Sequence, residues 1–423
     1  MSSPASFDWV AGVDVAKDWH EVRLLDTRTD EYRRYRCPNS GRGYRAFADW
    51  LVETTGAQPA EIAMALELPD GPLVETMLAL GFRVLSINPK QADCFRGRLS
   101  LSGAKDDPRD ARVLASAAST DRAAFREVRE RPPALVALRR VTRERSDVVA
   151  QITKLGQQIR EQLAAYWPEM ESILGPGEAT AEWFMALWSR IPTPERARRM
   201  RVSTLAAQLA RSRMRRFEAA KLKEMLTTKP ALVSAAGVAS RVDTIRRLLR
   251  RVRLLKGDLR DLDASLRRLL EEARSVPATA AGRPGDAAPV VDQAGSLSGI
   301  GPVVTATLLA EVPELLVDGN YRGLRAVAGT APVTVRSGKS WQRVRMRRAV
   351  NQRVRHAIAC AMRVAVCRDP ACRAACERYR ARGDSWNTAL RKVGDRQLRI
   401  LSGMIHNGTL YDPQRALAAS RAA

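Results

Sequence analysis

The sequence predicts an α/β domain with a mixed sheet, followed by a long and mainly helical remainder. In the first part, short apolar runs alternate with helical patterns in the order β-β-β-α-β-α-β-α-α, which is typical of a sheet with helices on its faces. In the second part, two long segments repeat apolar residues at helical spacing. A chain of 423 residues with these patterns is expected to form two or three domains.

Three strands are predicted before the first helix. Residues 8–15 are an apolar run that carries one acidic residue, residues 19–26 alternate apolar and polar positions, and residues 31–37 follow after a short polar turn. Ser40 is the predicted N-cap of a helix that reaches about residue 53. The three strands are therefore expected to form a meander.

Alternation of strands and helices is predicted next. The expected elements are a strand at 61–67, a helix at 71–80, a strand at 82–88 that Pro89 ends, a further helix, and a helix that opens at Asp107-Pro108.

Two long helices are predicted in the middle of the chain, over 133–167 and 242–273. The second has a near-heptad apolar seam flanked by arginines, which favours an antiparallel or intersubunit coiled coil. Two ordinary helices of a bundle are the alternative.

A basic insert is expected between these helices, at about 170–235. Residues 195–230 carry eleven basic and three acidic residues. Such a stretch suits a nucleic-acid surface, although a solvated arginine-rich helix has the same composition.

The last part of the chain carries two features of nucleic-acid binding. The Gly299-Ile300-Gly301 turn precedes a predicted helix and is either a phosphate-gripping turn or a plain helix start. Residues 336–356 hold eight basic residues and no acid, with an aromatic residue interleaved, as phosphate-backbone sites often do. The predicted contacts are Arg336, Lys339, Trp341, Arg343, Arg345, Arg347 and Arg348.

Composition narrows the class of partner. Lysine and arginine total 71 against 46 acidic residues, a net charge of +25, which predicts a polyanionic partner and favours nucleic acid over membrane. We expect no membrane span and no signal peptide. The six cysteines lack CxxC spacing, so a reducing cytoplasm is favoured over a disulfide framework or a zinc site.

Four acidic residues in the first 110 positions form a candidate metal site. Asp14 lies in an apolar strand, Glu67 ends another, and Asp107 and Asp110 share a helix face. Four hard oxygen ligands suit Mg²⁺ or Mn²⁺, and two such ions can act on a phosphodiester. Taken singly, Asp14 could instead pair with Lys17 or Arg112, and Asp107 could cap its helix.

At these residues the sequence resembles the transposases of the IS110 insertion-sequence family, which are bridge-RNA-guided recombinases. In the N-terminal part the resemblance is carried by Val13-Asp14-Val15-Ala16-Lys17, Glu67 and Lys105-Asp106-Asp107-Pro108-Arg109-Asp110-Ala111. In the C-terminal part it is carried by Gly299-Ile300-Gly301-Pro302, the run from Tyr321 to Pro332, and Ser337-Gly338. The basic insert has no counterpart in this resemblance.

The resemblance implies an RNase H-like (RuvC-like) DEDD domain, a coiled coil, and a C-terminal transposase domain that supplies a serine. On this resemblance Asp14, Glu67, Asp107 and Asp110 bind Mg²⁺, and Ser337 is the nucleophile that forms a covalent bond to a DNA phosphate. Ser340 is the competing nucleophile.

The implied partners are donor and target DNA, a structured guide RNA and further copies of the chain, as dimer or tetramer. The implied location is the cytoplasm, at the nucleoid. Two other functions remain open: a metal-only endonuclease of the Holliday-junction type, and a non-catalytic nucleic-acid-binding protein.

We therefore expect four segments. They are a RuvC-like domain over 1–130, coiled-coil helices with the insert over 131–275, a linker over 276–295, and the C-terminal transposase domain over 296–423.

Overall fold

The computed structural model describes residues 7–67, 69–99, 107–228, 233–275, 287–337 and 341–421. Within these ranges only the backbone is described at 90, 99, 107, 335–337, 341–344 and 419–421. The chain divides into two compact units, Met1–Arg131 and Pro132–Ala423.

The first unit is built on a six-stranded mixed sheet with the order β3-β2-β1-β4-β5-β6. The first three strands form an antiparallel meander, while β4 and β5 run parallel to β1 and β6 is antiparallel to β5. The strands are β1 (Trp9–Asp14), β2 (Trp19–Asp26), β3 (Glu31–Pro38), β4 (Ile62–Leu66), β5 (Arg83–Ser86) and β6 (Arg126–Glu127).

Among the described residues, four α-helices accompany this sheet: α1 (Gly41–Thr55), α2 (Pro72–Ala79), α3 (Pro89–Leu99) and α4 (Asp107–Thr120). The predicted mixed sheet with flanking helices is confirmed. So is the N-cap, because the Ser40 hydroxyl accepts a hydrogen bond from the Gly43 amide at 3.1 Å. Strand β6 was not predicted, since two residues carry no periodic signal.

The two faces of the sheet have separate cores. Residues of α1 and α2 pack on the face that includes Ala11 and Val13, while α4 packs on the face that includes Val10. Gly12 allows this second contact. A Cβ atom at Gly12 would lie 1.9 Å from the Ala111 carbonyl oxygen and 2.5 Å from the Ala115 amide. Helix α4 therefore lies against the backbone of β1.

The second unit contains two long helices, α5 (Pro133–Ala164) and α11 (Ala235–Glu272), which pack along each other. Leu138 at the start of α5 shares a core with Leu266 near the end of α11, so the pair is antiparallel. Arg145 donates to the Asp263 carboxylate at 2.6 Å across this pair. Two long helices are thus confirmed, but supercoiling of the pair stays a prediction.

Short helices fill the insert between α5 and α11. They enclose an aromatic core in which Trp167 donates a hydrogen bond to the Leu226 carbonyl at 3.1 Å and Trp188 donates to the Tyr166 hydroxyl at 2.9 Å. The helices are α6 (Pro168–Ser172), α7 (Glu182–Arg190), α8 (Pro194–Arg199), α9 (Val202–Arg211) and α10 (Ala219–Thr227).

In the part of this unit that is described after α11, the chain forms helices and one hairpin. The hairpin strands are β7 (Pro332–Ser337) and β8 (Trp341–Met346). The helices are α12 (Val290–Ser296), α13 (Pro302–Glu311), α14 (Pro313–Val317), α15 (Tyr321–Val327), α16 (Gln352–Arg368), α17 (Pro370–Ala381), α18 (Trp386–Asn407) and α19 (Pro413–Arg421).

The predicted linker over 276–295 needs a correction. Residues 276–286 lie outside the described residues, but helix α12 covers the end of the predicted segment. Val290 and Ala294 of this helix are buried in the core. Their apolar side chains, rather than the surrounding Pro, Ala and Gly, decide the local structure.

Candidate active site

The parallel pairing of β1 and β4 brings two of the predicted acids to one edge of the sheet. Gly12 pairs with Ala65, and Asp14 and Glu67 each lie two residues further along their strands. Because side chains alternate along a strand, both acids belong to the face on which α4 packs. Asp14 and Glu67 are both partly exposed there.

Asp110 reaches the same site from α4. It precedes Ala111, whose carbonyl oxygen lies against Gly12. Its side chain is 13% exposed. The close packing of α4 on β1 therefore determines where Asp110 lies at the edge of the sheet.

The guanidinium of Arg96 contacts two of these acids, Glu67 and Asp110. Arg96 on α3 donates from Nε to Oδ1 of Asp110 at 2.8 Å, and its Nη2 and Nη1 contact Glu67 and Asp93. Arg96 itself is 24% exposed. Two of the four predicted acids thus face one cation.

The fourth predicted acid, Asp107, is the first residue of α4. The side chain of Asp107 lies outside the described residues, and so does Asp106. Among the side chains that the structure describes, no group of three or more Asp, Glu, His or Cys residues has the spacing of a metal site. The four-acid site stays a prediction.

The donor set that the structure does bring together fits a hard cation. Glu67 and Asp110 present carboxylate oxygens to one guanidinium, and oxygen ligands are what Mg²⁺ and Mn²⁺ prefer.

An unpredicted acid lies opposite Asp14. Glu21 of β2 pairs directly with Asp14 in the sheet, and its side chain is 2% exposed. Arg34 and Arg36 donate to its carboxylate at 2.5 and 2.6 Å. The hydrogen bond from Arg34 is the main reason that the pKa of Glu21 is lowered, against the opposing effect of burial. Basic residues on the next strand are the sequence signal that could have indicated this cluster.

The predicted serine lies at the end of a strand of the hairpin. Ser337 is the last residue of β7 and pairs with Trp341 across the ladder, while Gly338, Lys339 and Ser340 lie outside the described residues. Positions 343 and 345 follow 341 at steps of two, so they belong to the same face of the hairpin as position 337. Arg336 is on the other face by the same alternation.

The rest of the predicted nucleic-acid contacts lie near this hairpin. Arg345 and Arg348 are exposed and Arg347 is partly exposed. Their role in binding nucleic acid stays a prediction.

The predicted glycine turn has a packing role. Gly299 has φ +83°, and a Cβ there would lie 2.2 Å from the Ala361 carbonyl oxygen, so glycine is required by the fold. Gly301 is the N-cap of α13 and has open space where a Cβ would be. Contact of this turn with a phosphate stays a prediction.

The run from Tyr321 to Pro332 surrounds a second carboxylate. Arg325 forms a bidentate pair with Asp395 at 2.9 Å, Thr330 donates to Asp395 at 2.8 Å, and Tyr321 donates at 3.0 Å. Arg391 donates to the Thr330 carbonyl at 2.6 Å. These side chains fasten α15 and the start of the hairpin to α18.

A mixed sheet that carries acidic residues at the carboxyl ends of its parallel strands is consistent with an RNase H-like fold. Comparison with known families identifies the chain more closely. A DEDD family model described as Transposase matches residues 11–168, and a model described as Transposase IS116/IS110/IS902 family matches residues 292–377. The chain belongs to the IS110 family of DEDD transposases, which are enzymes that act on DNA.

Individual relatives agree with this assignment. The candidate transposase y4uE of Sinorhizobium fredii is 43% identical over 213 residues, which cover 49% of this chain and 58% of that protein. The chain thus spans less than two thirds of that relative. The candidate mini-circle transposase for IS117 of Streptomyces coelicolor is 28% identical over 96% of both chains. The 43.6 kDa protein of insertion element IS110 from the same species is 25% identical over 97% of both.

No helix among the described residues is both long and apolar enough to cross a membrane.

Proposed function

We propose that this chain is an RNA-guided DNA transposase that cuts and rejoins donor and target DNA, using a Mg²⁺-dependent DEDD site and Ser337 as nucleophile. The observation that carries the proposal is the convergence of Glu67 and Asp110 on one guanidinium at the carboxyl edge of β1 and β4. Structural carboxylates are usually matched by their own cation. Here, among the described residues, Glu67, Asp93 and Asp110 share the one guanidinium of Arg96.

Asp14, Glu67, Asp107 and Asp110 would hold the metal in this proposal. Bound Mg²⁺ would supply Lewis-acid stabilisation of charge on the phosphodiester, with Mn²⁺ as a possible substitute. The chain's own contribution is to fix the acids on rigid elements: Asp14 and Glu67 at strand ends, and Asp110 on the helix that lies against Gly12.

Ser337 would form the covalent intermediate. Its Oγ attacks the DNA phosphorus, the bond from phosphorus to the leaving deoxyribose oxygen breaks, and the hydroxyl proton passes to a base or the leaving oxygen. Rejoining reverses the exchange on a different strand. The position of Ser337 at the strand end, on the hairpin face shared by positions 343 and 345, supports this role because arginines can stabilise phosphoryl charge.

The proposed partners follow from charge and exposure. A net charge of +25 suits both DNA and a structured guide RNA. For the homo-oligomer, the support is apolar side chains exposed on the long helix pair: Leu254 is 69% exposed and Val149 is 38% exposed. A coiled coil between copies of the chain would cover them.

Covalent trapping tests the nucleophile. Full-length protein, RNA from the element and labelled target DNA are incubated with Mg²⁺, denatured and analysed for a protein–DNA adduct. We expect the adduct with wild type and with Ser340→Ala, and none with Ser337→Ala. An adduct that persists in Ser337→Ala but is lost in Ser340→Ala would move the nucleophile to the second serine.

A metal-only endonuclease is the second candidate, because the acids that converge all belong to the first unit and require no serine. It predicts Mg²⁺-dependent strand cleavage that Ser337→Ala leaves intact, with no adduct in any variant. The same gel therefore distinguishes the two functions.

A further inference from the structure

The candidate metal site contains a cation of its own, the Arg96 guanidinium. We propose that Arg96 is an internal competitor of the metal ion: it engages the oxygens of Glu67 and Asp110 that the metal needs, and metal binding requires its displacement. This inference rests on the proposed metal site, and it adds a residue that sets how tightly that site binds metal.

The geometry of the guanidinium supports the competition. A bidentate arginine usually places its fork on one carboxylate. Arg96 instead uses Nε for Asp110, at 2.8 Å, and Nη2 for Glu67, so one planar group links two different acids. An ion bound by both acids would have to take the place of this group.

Electrostatics explain why a cation is needed there. Carboxylates brought together repel one another, and the repulsion grows as water is excluded. Glu67 and Asp110 are 26% and 13% exposed. Arg96 offsets this repulsion and stabilises the sheet edge, and the same stabilisation weakens metal binding because its contacts must be broken first.

Asp93 gives the displaced side chain a partner. It lies three residues before Arg96 on α3, contacts Nη1, and is 65% exposed. Because Asp93 is on the same helix, the guanidinium can leave the two site acids and keep one ion pair at the surface. Displacement therefore does not require an unpaired arginine.

Metal binding to the full-length chain tests the proposal. Mn²⁺ is titrated and followed by electron paramagnetic resonance in wild type, Arg96→Gln and Arg98→Gln. Arg98 is the matched control, since it lies on the same helix and pairs with the exposed Asp121 at 3.2 Å. We expect Arg96→Gln to bind Mn²⁺ about tenfold more tightly or better, and Arg98→Gln to bind like wild type.

Thermal unfolding gives a second readout. In EDTA, Arg96→Gln should unfold at a lower temperature than wild type, because its acids lose their counter-charge. Saturating Mn²⁺ should remove most of this difference. Arg96→Lys serves if the glutamine variant does not fold, and it should bind Mn²⁺ with intermediate affinity, because an ammonium is a point charge that lacks the fork.

The outcomes separate the two proposals. If wild type binds Mn²⁺ and Asp110→Asn weakens that binding, but Arg96→Gln and Arg96→Lys bind no more tightly than wild type, the competition is refuted and the metal site stands. If Asp110→Asn leaves Mn²⁺ binding unchanged, the metal site itself is wrong.

Discussion

Two arginine–carboxylate clusters differ in how charge is balanced. At the edge of the sheet, one arginine serves three carboxylates, those of Glu67, Asp93 and Asp110. In the C-terminal part, the single carboxylate of Asp395 receives both arms of Arg325 and two hydroxyl donors. Asp110 is 13% exposed and Asp395 is 18% exposed, so burial does not distinguish them.

The two clusters differ in the number of hydrogen-bond donors for each carboxylate. A carboxylate whose oxygens already accept hydrogen bonds from fixed donors has a structural role. An ion added there would only displace good hydrogen bonds. A group of acids with too few cations stores repulsion that a divalent ion can relieve. The comparison therefore predicts that the first cluster takes part in the chemistry and that the second stabilises the fold.

The largest effect that tests this contrast is on activity. Asp110→Asn removes a proposed metal ligand, and we expect Mg²⁺-dependent DNA cleavage to fall on the order of 10³-fold. Thermal stability should change little, because the variant removes one charge from a group with an excess of negative charge. Asp121→Asn, at an exposed acid that pairs with Arg98, is the control for cleavage. Full cleavage by Asp110→Asn would make the first cluster structural as well.

The second effect is on stability. Asp395→Ala leaves Arg325, Thr330 and Tyr321 without their acceptor, and we expect the free energy of unfolding to fall by about 2–4 kcal/mol. Asp243→Ala, in an exposed pair with Arg246, should cost no more than about 0.5 kcal/mol. Urea unfolding of both variants measures the two values. Equal losses would show that the network around Asp395 is no stronger than a surface pair.

The sequence predicted the scaffold of the first cluster but not its cation. Apolar periodicity located the strands and helices, and acids at strand ends indicated that Asp14 and Glu67 would meet at one edge. Arg96 carried no local signal, because its contacts with Glu67 and Asp110 depend on how α3 and α4 pack.

The second cluster could also be predicted only in part from the sequence. The run from Tyr321 to Pro332 was recognisable as a family motif, yet only the fold shows that Arg325 and Thr330 meet Asp395, more than sixty residues later in the chain. Sequence spacing on one helix can be read from the chain, whereas the partner of an arginine on a distant element cannot. Basic residues in an arginine-rich chain give too many possible partners.

The third prediction concerns the support of the acidic cluster. Gly12→Ala places a Cβ against the backbone of α4, at 1.9 Å from the Ala111 carbonyl oxygen. The helix must shift, and we expect a loss of about 1–3 kcal/mol in unfolding free energy, together with weaker Mn²⁺ binding. Gly257→Ala in α11 meets open space and should be neutral or stabilising by up to about 1 kcal/mol. Unchanged Mn²⁺ binding in Gly12→Ala would mean that the position of α4 does not govern the site.

The smallest expected effect is at Glu21. Its carboxylate lies beside the acidic cluster and is already paired with arginines. It lies opposite Asp14 in the sheet, but two arginines donate to it, so by the argument from charge balance it should be structural. The hydrogen bond from Arg34 lowers the pKa of Glu21 below its ordinary value of 4.5. A carboxyl whose pKa is lower in the folded state stabilises the fold above its unfolded pKa, and this contribution is lost as pH falls through the folded value.

The free energy of unfolding of the wild type should fall between about pH 7 and about pH 3. Glu21→Gln should make this fall smaller by roughly 1 kcal/mol or less, because both arginines are partly solvated. Urea midpoints at the two pH values measure the effect, with Glu31→Gln on the neighbouring exposed strand as the control. Mg²⁺-dependent cleavage at neutral pH should stay within a few-fold of wild type, as expected for an acid that is already matched by cations. A cleavage loss as large as that of Asp110→Asn would instead place Glu21 among the acids that act on DNA, and charge balance would no longer separate the two kinds of cluster.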